Sequence, residues 1–369
     1  MQVFRIKQAM IWSLASLLGC HIPLQAQEIV FKPLSVREGL SQNNVLAITQ
    51  DHQGYMWFGT LNGLNKFNGY SVEVFKYQSH DRSSLSNNHI TSLLSDSRGY
   101  LWVGTSDGLN VQKSGQSGFT RITHLNDPDP SIRAYVIAIH EDTHHNIWIL
   151  VEKTDLALYR LAQGKTVFEK VARLDYLPER AYLPNYGAIC QSSEQHLWIG
   201  TVKNGLHCYN PIKKKFMALP SDLTALKINT LASTPLASLW IGTHGQGLYH
   251  YFPQHQLYRH YQHDPKNPES LSDDEIHDLL LSKHGGLWIA TDKGGINHYR
   301  YEGKFKKYYL SEIYNSTPRE PLRSLYESQS GVVWAGTIFG GLWTYDPHQT
   351  GFKTIRNIPG KKILLAITS

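Results

Sequence analysis

Seven tryptophans set the limits on any fold. Trp57, Trp102, Trp148, Trp198, Trp240, Trp288 and Trp334 follow one another at spacings of 45, 46, 50, 42, 48 and 46 residues, and a period of that length is the signature of a repeat architecture. Six stand inside similar phrases, MWFGTLNGLN, LWVGTSDGLN, LWIGTVKNGL, LWIGTHGQGL, LWIATDKGGI and VWAGTIFGGL, while Trp148 sits in a weaker copy, IWILVEKTDLALY. The chain must therefore set seven like units side by side, each burying a large aromatic ring.

The register extends around each tryptophan. Six residues upstream stand Asp51, Asp96, Asp142, Ser192, Thr234, Ser282 and Ser328, and three upstream stand Gly54, Gly99, Gly285 and Gly331, with His145, Gln195 and Ala237 in the other copies. A short polar side chain followed by a residue of positive φ is turn chemistry. Downstream come Gly-Thr pairs such as Gly59-Thr60 and Gly104-Thr105, and a small residue inside a strand marks a close approach by another element. A second glycine turn follows, then an apolar run ending at Tyr159, Tyr209, Tyr251, Tyr299 or Tyr345, each eleven residues after its tryptophan.

Read as strands, one unit is VLAITQD, YMWFGT, GLNKF and VEVFKY, four short strands in the span of one propeller blade. Strand B is apolar on both faces, as a strand sandwiched between neighbouring blades requires. Helical solenoids share the period but not the pattern, because no 3.6-residue periodicity is sustained. The fold class is therefore all-β, a seven-bladed β-propeller of four-stranded antiparallel blades over residues 28–356, and the tryptophans are packing residues between blades. Phe31 to Val36 occupies the place of a fourth strand and is predicted to close the ring beside Thr344-Tyr345, hiding an edge that would otherwise invite pairing. Gly351 to Ile355 has the same character and would compete for that edge or lead onward.

The first 26 residues carry Arg5 and Lys7, an apolar stretch near Ala9–Gly19 and a small residue at Ala26, the three regions of a secretory signal. Three fates stay open: cleavage after Ala26, lipidation of Cys20 in LLGC, or an uncleaved anchor. Either way the chain is expected in the periplasm. The net charge of +6 and the pI near 9 then lose nucleic acid as a partner, and no basic run exceeds Lys213-Lys214-Lys215. Cys190 and Cys208 fall on the first and third strands of one blade, about two spacings of 4.8 Å apart, beyond the reach of a disulfide, so both are predicted to be buried free thiols.

The segments GLSQNNVLAITQDHQGYMWFGTLNGLNKFNG (39–69) and SLSNNHITSLLSDSRGYLWVGTSDGLN (84–110) resemble the two-component regulator propeller repeat, and the resemblance runs from about Ile29 to Ser369. It implies the extracytoplasmic sensor of a hybrid histidine kinase, a diguanylate cyclase or a related transducer, in which commonly two seven-bladed propellers precede a β-sandwich, a transmembrane helix and a cytoplasmic output domain, with a homodimer as the working receptor. The third unit departs from the pattern, with Leu150-Val151 where Gly-Thr is expected. The final ILLAITS aligns with NVLAITQ at Asn44, so 357–369 reads as the first strand of an eighth repeat whose tryptophan would fall near 376. The expectation is an N-terminal fragment of a receptor, without its output domain, touching a membrane only through that missing part or an uncleaved or lipidated N-terminus.

Nothing in the sequence marks catalysis. Nineteen histidines include no HExxH, no Cys/His metal spacing and no Gly-x-Ser-x-Gly elbow, so no cofactor, metal or catalytic residue is expected. His250 and His298 read as scaffold. The ligand site is expected where the B-to-C turns and D-to-A connections converge, because these residues vary while the scaffold repeats. From the turns the candidates are Asn62, Asp107, Lys153, Lys203, His244, Lys293 and Phe339; from the connections they are Asn44, Asn88, Tyr135, Tyr186 and Arg323. Such groups suit a carbohydrate or other small polar molecule. The alternatives are a propeller lyase or glycosidase, which needs a His or carboxylate cluster converging on the ring axis, and a free-standing scaffold for a protein partner, which needs a large exposed apolar patch.

Overall fold

The computed structural model describes residues 31–122, 125–126, 134–153, 155–174, 186–300, 303–309 and 320–346. They form seven sheets of mainly antiparallel strands, and in six of them strands A-B-C-D follow in chain order, while blade 7 takes its outer strand from the start of the described residues. The A strands are Val45–Gln50, Ile90–Ser95, Tyr135–Glu141, Gly187–Gln191, Ile228–Ser233, Ile276–Leu281 and Leu322–Glu327 in blades 1 to 7. Each A strand packs beside the next around the whole ring, and that of blade 7 meets that of blade 1. The A strands therefore surround the axis.

Closure is as the sequence predicts. Phe31–Leu34 pairs antiparallel with Leu342–Tyr345 as the outer strand of blade 7. The seam is tied again at the axis, where the Ser324 hydroxyl donates to the Val45 carbonyl at 3.1 Å, and in the core, where the Phe58 and Trp334 rings lie 5.3 Å apart. The signal segment 1–26, Gly351 to Ile355, the eighth-repeat strand 357–369 and the domain limits at 28 and 356 lie outside the described residues. No helix among the described residues is long and apolar enough to cross a membrane.

Each B strand is sandwiched. All five residues of Met56–Thr60, Leu101–Thr105, Leu197–Thr201, Leu239–Thr243 and Leu287–Thr291 are buried. The glycine of each Gly-Thr pair marks the closest approach: a Cβ added to Gly59 would fall 2.6 Å from Ile90 of the next blade, and one on Gly200 would fall 2.5 Å from Ile228. The threonine has its own task. Thr60 Oγ1 donates to the Gly63 carbonyl and accepts from the Asn62 N–H, closing the B-to-C turn, and Thr105 repeats the arrangement.

The aspartates and glycines of the A-to-B turns behave as read, and the aspartates do more. Asp51, Asp96 and Asp142 accept backbone N–H groups of their turns and also the indole N–H of Trp57, Trp102 and Trp148 at 2.7, 3.0 and 2.7 Å. His145, Gln195 and Ala237, standing in the glycine positions, hold φ of 60°, 65° and 60°. In blades 5 and 6 a histidine lies flat on the tryptophan, with ring centroids 3.7 Å apart for Trp240–His250 and 4.0 Å for Trp288–His298. Burial pushes both imidazoles down to about 4, so these histidines are neutral packing elements.

Blade 3 is the irregular one. Its B and C strands, Ile147–Glu152 and Leu156–Leu161, are one hairpin without the glycine turn, so Tyr159 pairs with Ile149, whereas Tyr209 pairs with Leu197, one residue before its tryptophan. A fifth strand, Leu125–Asn126, joins its outer edge in parallel. Where other blades place glycine opposite a bulky residue of the next blade, blade 3 has Leu150 and the corresponding position of blade 4 is Gly187.

Cys190 and Cys208 flank Trp198 on strands A and C, each paired with it, and both are free thiols. Cys208 is buried, but Cys190 only partly, a correction to the expectation of two buried thiols. Strand A faces the axis, which leaves its side chains less covered than those of strand C.

Candidate functional site

Six A strands carry the same irregularity. The pairing with strand B jumps from Val45 to Ala47, Ile90 to Ser92, Val136 to Ala138, Ile228 to Thr230, Ile276 to Asp278 and Leu322 to Ser324. A bulge leaves one residue unpaired and re-aims its side chain. The residues so released are Leu46, Thr91, Ile137, Asn229, His277 and Arg323, and all six line a single cavity of about 190 Å³. Blade 4 has no bulge; it contributes Tyr186, just ahead of its strand, with Gly187 and Ala188. Every blade thus supplies the wall, so the cavity lies on the propeller axis.

The polar groups of the wall form one network. Arg323 donates from Nη1 to His277 Nδ1 at 2.8 Å and from Nη2 to the Tyr186 hydroxyl, with its guanidinium 4.3 Å from the Tyr186 ring centroid. Because arginine only donates, His277 Nδ1 accepts, and the proton on Nε2 goes to Asp292 Oδ1 at 3.2 Å. That hydrogen bond holds the Asp292 carboxyl below its ordinary range. Blades 7 and 4 face each other across the ring, so the Arg323–Tyr186 contact bridges the cavity.

Asp278 joins three blades. Its carboxylate accepts from Thr230 Oγ1 of blade 5, from its own neighbour Leu279 N, and from Leu325 N of blade 7, at 3.2, 2.8 and 2.7 Å. Burial pushes its pKa up to about 6 against the pull of those donors. Burial likewise raises the Tyr135 phenol to about 12, with the neighbouring Tyr186 adding to the shift and Arg323 opposing it, which keeps Tyr135 a hydrogen-bond donor at every physiological pH. Asn229 gives its Nδ2 to Glu275 Oε1 and the Ile276 carbonyl, and its buried Oδ1 has no partner.

Of the twelve sequence candidates, Tyr135, Tyr186 and Arg323 come together in this cavity. Two others stand in polar pairs around its rim: Lys203 Nζ lies 2.8 Å from Glu152, whose backbone pairs with Tyr135, and His244 Nδ1 donates to Glu275 Oε1 at 2.7 Å. Asn88 uses its side-chain oxygen to hold the Tyr77 N–H. Asn44 is half-buried, with no partner for its Oδ1. Asn62 and Asp107 seat their turns on threonine, Lys153 bonds its N–H to the Asp155 carbonyl, Lys293 is exposed, and Phe339 is 69% exposed. The expected face exists, since Gly63 N bonds the Asn88 carbonyl and Val202 N the Tyr186 carbonyl, joining turns to connections.

The reading missed Thr91, Asn229, His277 and Asp278. A signal was present. In VLA, ITS, VIA, INT, IHD and LRS of six A strands, a repeating aliphatic residue is followed by one that changes chemical class from blade to blade. Among the described residues no group of three His, Cys, Asp or Glu side chains could hold a metal ion.

Residues 39–62 and 84–107 match the repeat described as the two component regulator propeller. Two segments of the chain carry this repeat. A 71-residue stretch, 19% of the chain, is 38% identical to Histidine kinase P4 of Formosa agariphila and covers 5% of that protein. The propeller superposes with a TM-score of 0.69 on the extracellular domain of BT3049 from B. thetaiotaomicron, described as a hybrid two component system, at 22% identity over 86% of this chain and 42% of that one. It also superposes with a TM-score of 0.63 on virginiamycin B lyase from Staphylococcus aureus, at 13% identity over 86% of this chain and 99% of that one. At these identities the likenesses speak to fold, and the chain spans less than half the length of both the kinase and the BT3049 domain.

Proposed function

We propose that this regulator propeller is the extracytoplasmic ligand-sensing domain of a two-component or cyclic-di-GMP receptor, and that it recognises a carbohydrate or other small polar molecule in its axial cavity. The observation that carries the reading is the ring of bulged residues: the blade scaffold repeats, and the side chains it delivers to the axis do not. Ligand binding would act by favouring one arrangement of the propeller relative to the rest of the receptor or its dimer partner. The proposed setting is the periplasm.

The lyase-like fold and the presence of His277 and Asp278 on the axis raise the catalytic reading. Both nitrogens of His277 are engaged, by Arg323 and Asp292, which leaves it no free lone pair, and Asp278 already accepts three hydrogen bonds. A general base needs a free lone pair within reach of a substrate proton, which His277 lacks, so its arrangement suits recognition better than reaction. The most exposed apolar side chains, Tyr70, Ile212 and Leu236, stand singly on turns of blades 1, 4 and 5, which suits a small ligand better than a protein partner.

The test is a thermal-shift screen of the full chain against neutral and acidic mono- and oligosaccharides and small polyols, with hits repeated on Asn229→Ala. A hit weakened by that change supports the reading. A screen in which no compound binds, or in which hits ignore Asn229, removes it.

A further inference from the structure

The donors and acceptors of the axial cavity are not evenly placed. Tyr135, Tyr186 and Arg323 converge from blades 3, 4 and 7, and Tyr135 is electrostatically coupled to both of the others. The Tyr135 hydroxyl has no hydrogen-bond partner among the described residues. The Tyr186 hydroxyl accepts from Arg323, which leaves its own proton to donate. Arg323 gives two N–H groups to neutral acceptors, and no carboxylate stands within ion-pair distance of it among the described residues. A half-buried guanidinium with no direct ion pair, whose nearest interacting carboxylate, Asp292, stands beyond the shared His277, favours the entry of an anion. In blade 5 the Asn229 amide is 6% exposed and its unpartnered Oδ1 is an acceptor. Asp278 makes no ion pair with Arg323; its oxygens accept instead from Leu279, Leu325 and Thr230.

We propose that the axial cavity binds a small hydroxycarboxylate, its carboxylate held by Arg323 and the hydroxyls of Tyr135 and Tyr186, and a ligand hydroxyl donated to Asn229 Oδ1. This rests on the sensing reading and narrows it. A carboxylate offers about four acceptor positions, which matches a forked guanidinium flanked by two phenols. The volume of about 190 Å³ lies below the roughly 300–1,000 Å³ of drug-sized pockets, so the ligand has the size of a single sugar acid or smaller.

The test is calorimetric titration of the full chain with two matched pairs, D-glycerate against glycerol and D-gluconate against D-glucitol, and with inorganic phosphate. One acid of the pairs is expected to bind at least tenfold more tightly than its neutral partner and than phosphate. Tyr135→Phe, which removes a single hydroxyl, should weaken that acid about tenfold, and Arg323→Gln should abolish binding, with circular dichroism confirming that both variants are folded. Equal binding of an acid and its polyol, or of phosphate, overturns the carboxylate assignment, as does acid binding indifferent to both substitutions. Polyol binding that Asn229→Ala removes would overturn it while leaving the sensing cavity in place. No binding by any of the five probes overturns it too, and the saccharide screen then decides whether the sensing reading falls with it.

Discussion

The indole N–H of Trp148 donates to Asp142 Oδ2 at 2.7 Å, joining the A-to-B turn of blade 3 to the ring that packs the blade. The same carboxylate accepts from His144 N and Asn146 N. Burial alone would raise its pKa, but the hydrogen bonds from Trp148 and Asn146 outweigh it and hold the group below its ordinary value. A depressed carboxylate stabilises the fold above its unfolded pKa near 4, and that contribution fades as the pH falls through the lower folded value. Asp142→Ala should cost about 3 kcal/mol at pH 7, since a buried indole donor loses a charged partner, and urea midpoints would show it.

The converse change is open in blade 7. There Ser328 stands in the aspartate position, and the buried Trp334 Nε1 has no partner. Ser328→Asp should restore the bond seen in blades 1 to 3 and raise stability by about 1 kcal/mol. A lower urea midpoint would contradict this account.

Gln195 holds a left-handed backbone, φ 65°, in a turn where four other blades use glycine. An L residue there costs about 1 kcal/mol, so Gln195→Gly should raise the melting temperature, an outcome that intrinsic glycine flexibility alone would reverse.

Gly59 and Ile90 belong to neighbouring blades, and a methyl group at Gly59 would meet Ile90 Cγ2 at 2.6 Å. Gly59→Ala should cost about 1–3 kcal/mol by overpacking. Combined with Ile90→Ala, the added methyl enters vacated space, so the pair should show a favourable coupling of about 1 kcal/mol in a double-mutant cycle.

Asp278 is the opposite electrostatic case to Asp142. Its pKa is raised from 3.8 to about 6, so the folded state binds its proton more tightly than the unfolded chain. The stability it contributes is present below pH 4 and lost as the pH rises through 6, about 3 kcal/mol across that window. Asp278→Asn should therefore gain on the native protein as the pH rises from 4 to 7. Parallel pH profiles for the two proteins would refute the assignment.

Burial pushes the Cys190 and Cys208 thiols up to about 12, and the thiolate is the reactive form. Peptide mapping after iodoacetamide treatment at pH 8 should find both unmodified in native protein and modified in urea.

The blade count, the strand order, the turns and the closing strand at Phe31 were legible because each rests on a local pattern that recurs along the chain: Trp every 42 to 50 residues, Asp, Ser or Thr six residues before it, and Gly-Thr after it in five of the seven units. The site was legible only in part. Tyr135, Tyr186 and Arg323 were found as variable polar residues in connections, whereas Thr91, Asn229 and His277 look like ordinary strand positions. What the sequence by itself determined is the scaffold, since short-range turn chemistry and apolar alternation specify four strands per unit. What only the tertiary structure decided is which residue of strand A faces the axis. A one-residue bulge reverses the direction of every side chain in a strand of period two, and its effect converges on one cavity only when all seven blades are closed into a ring.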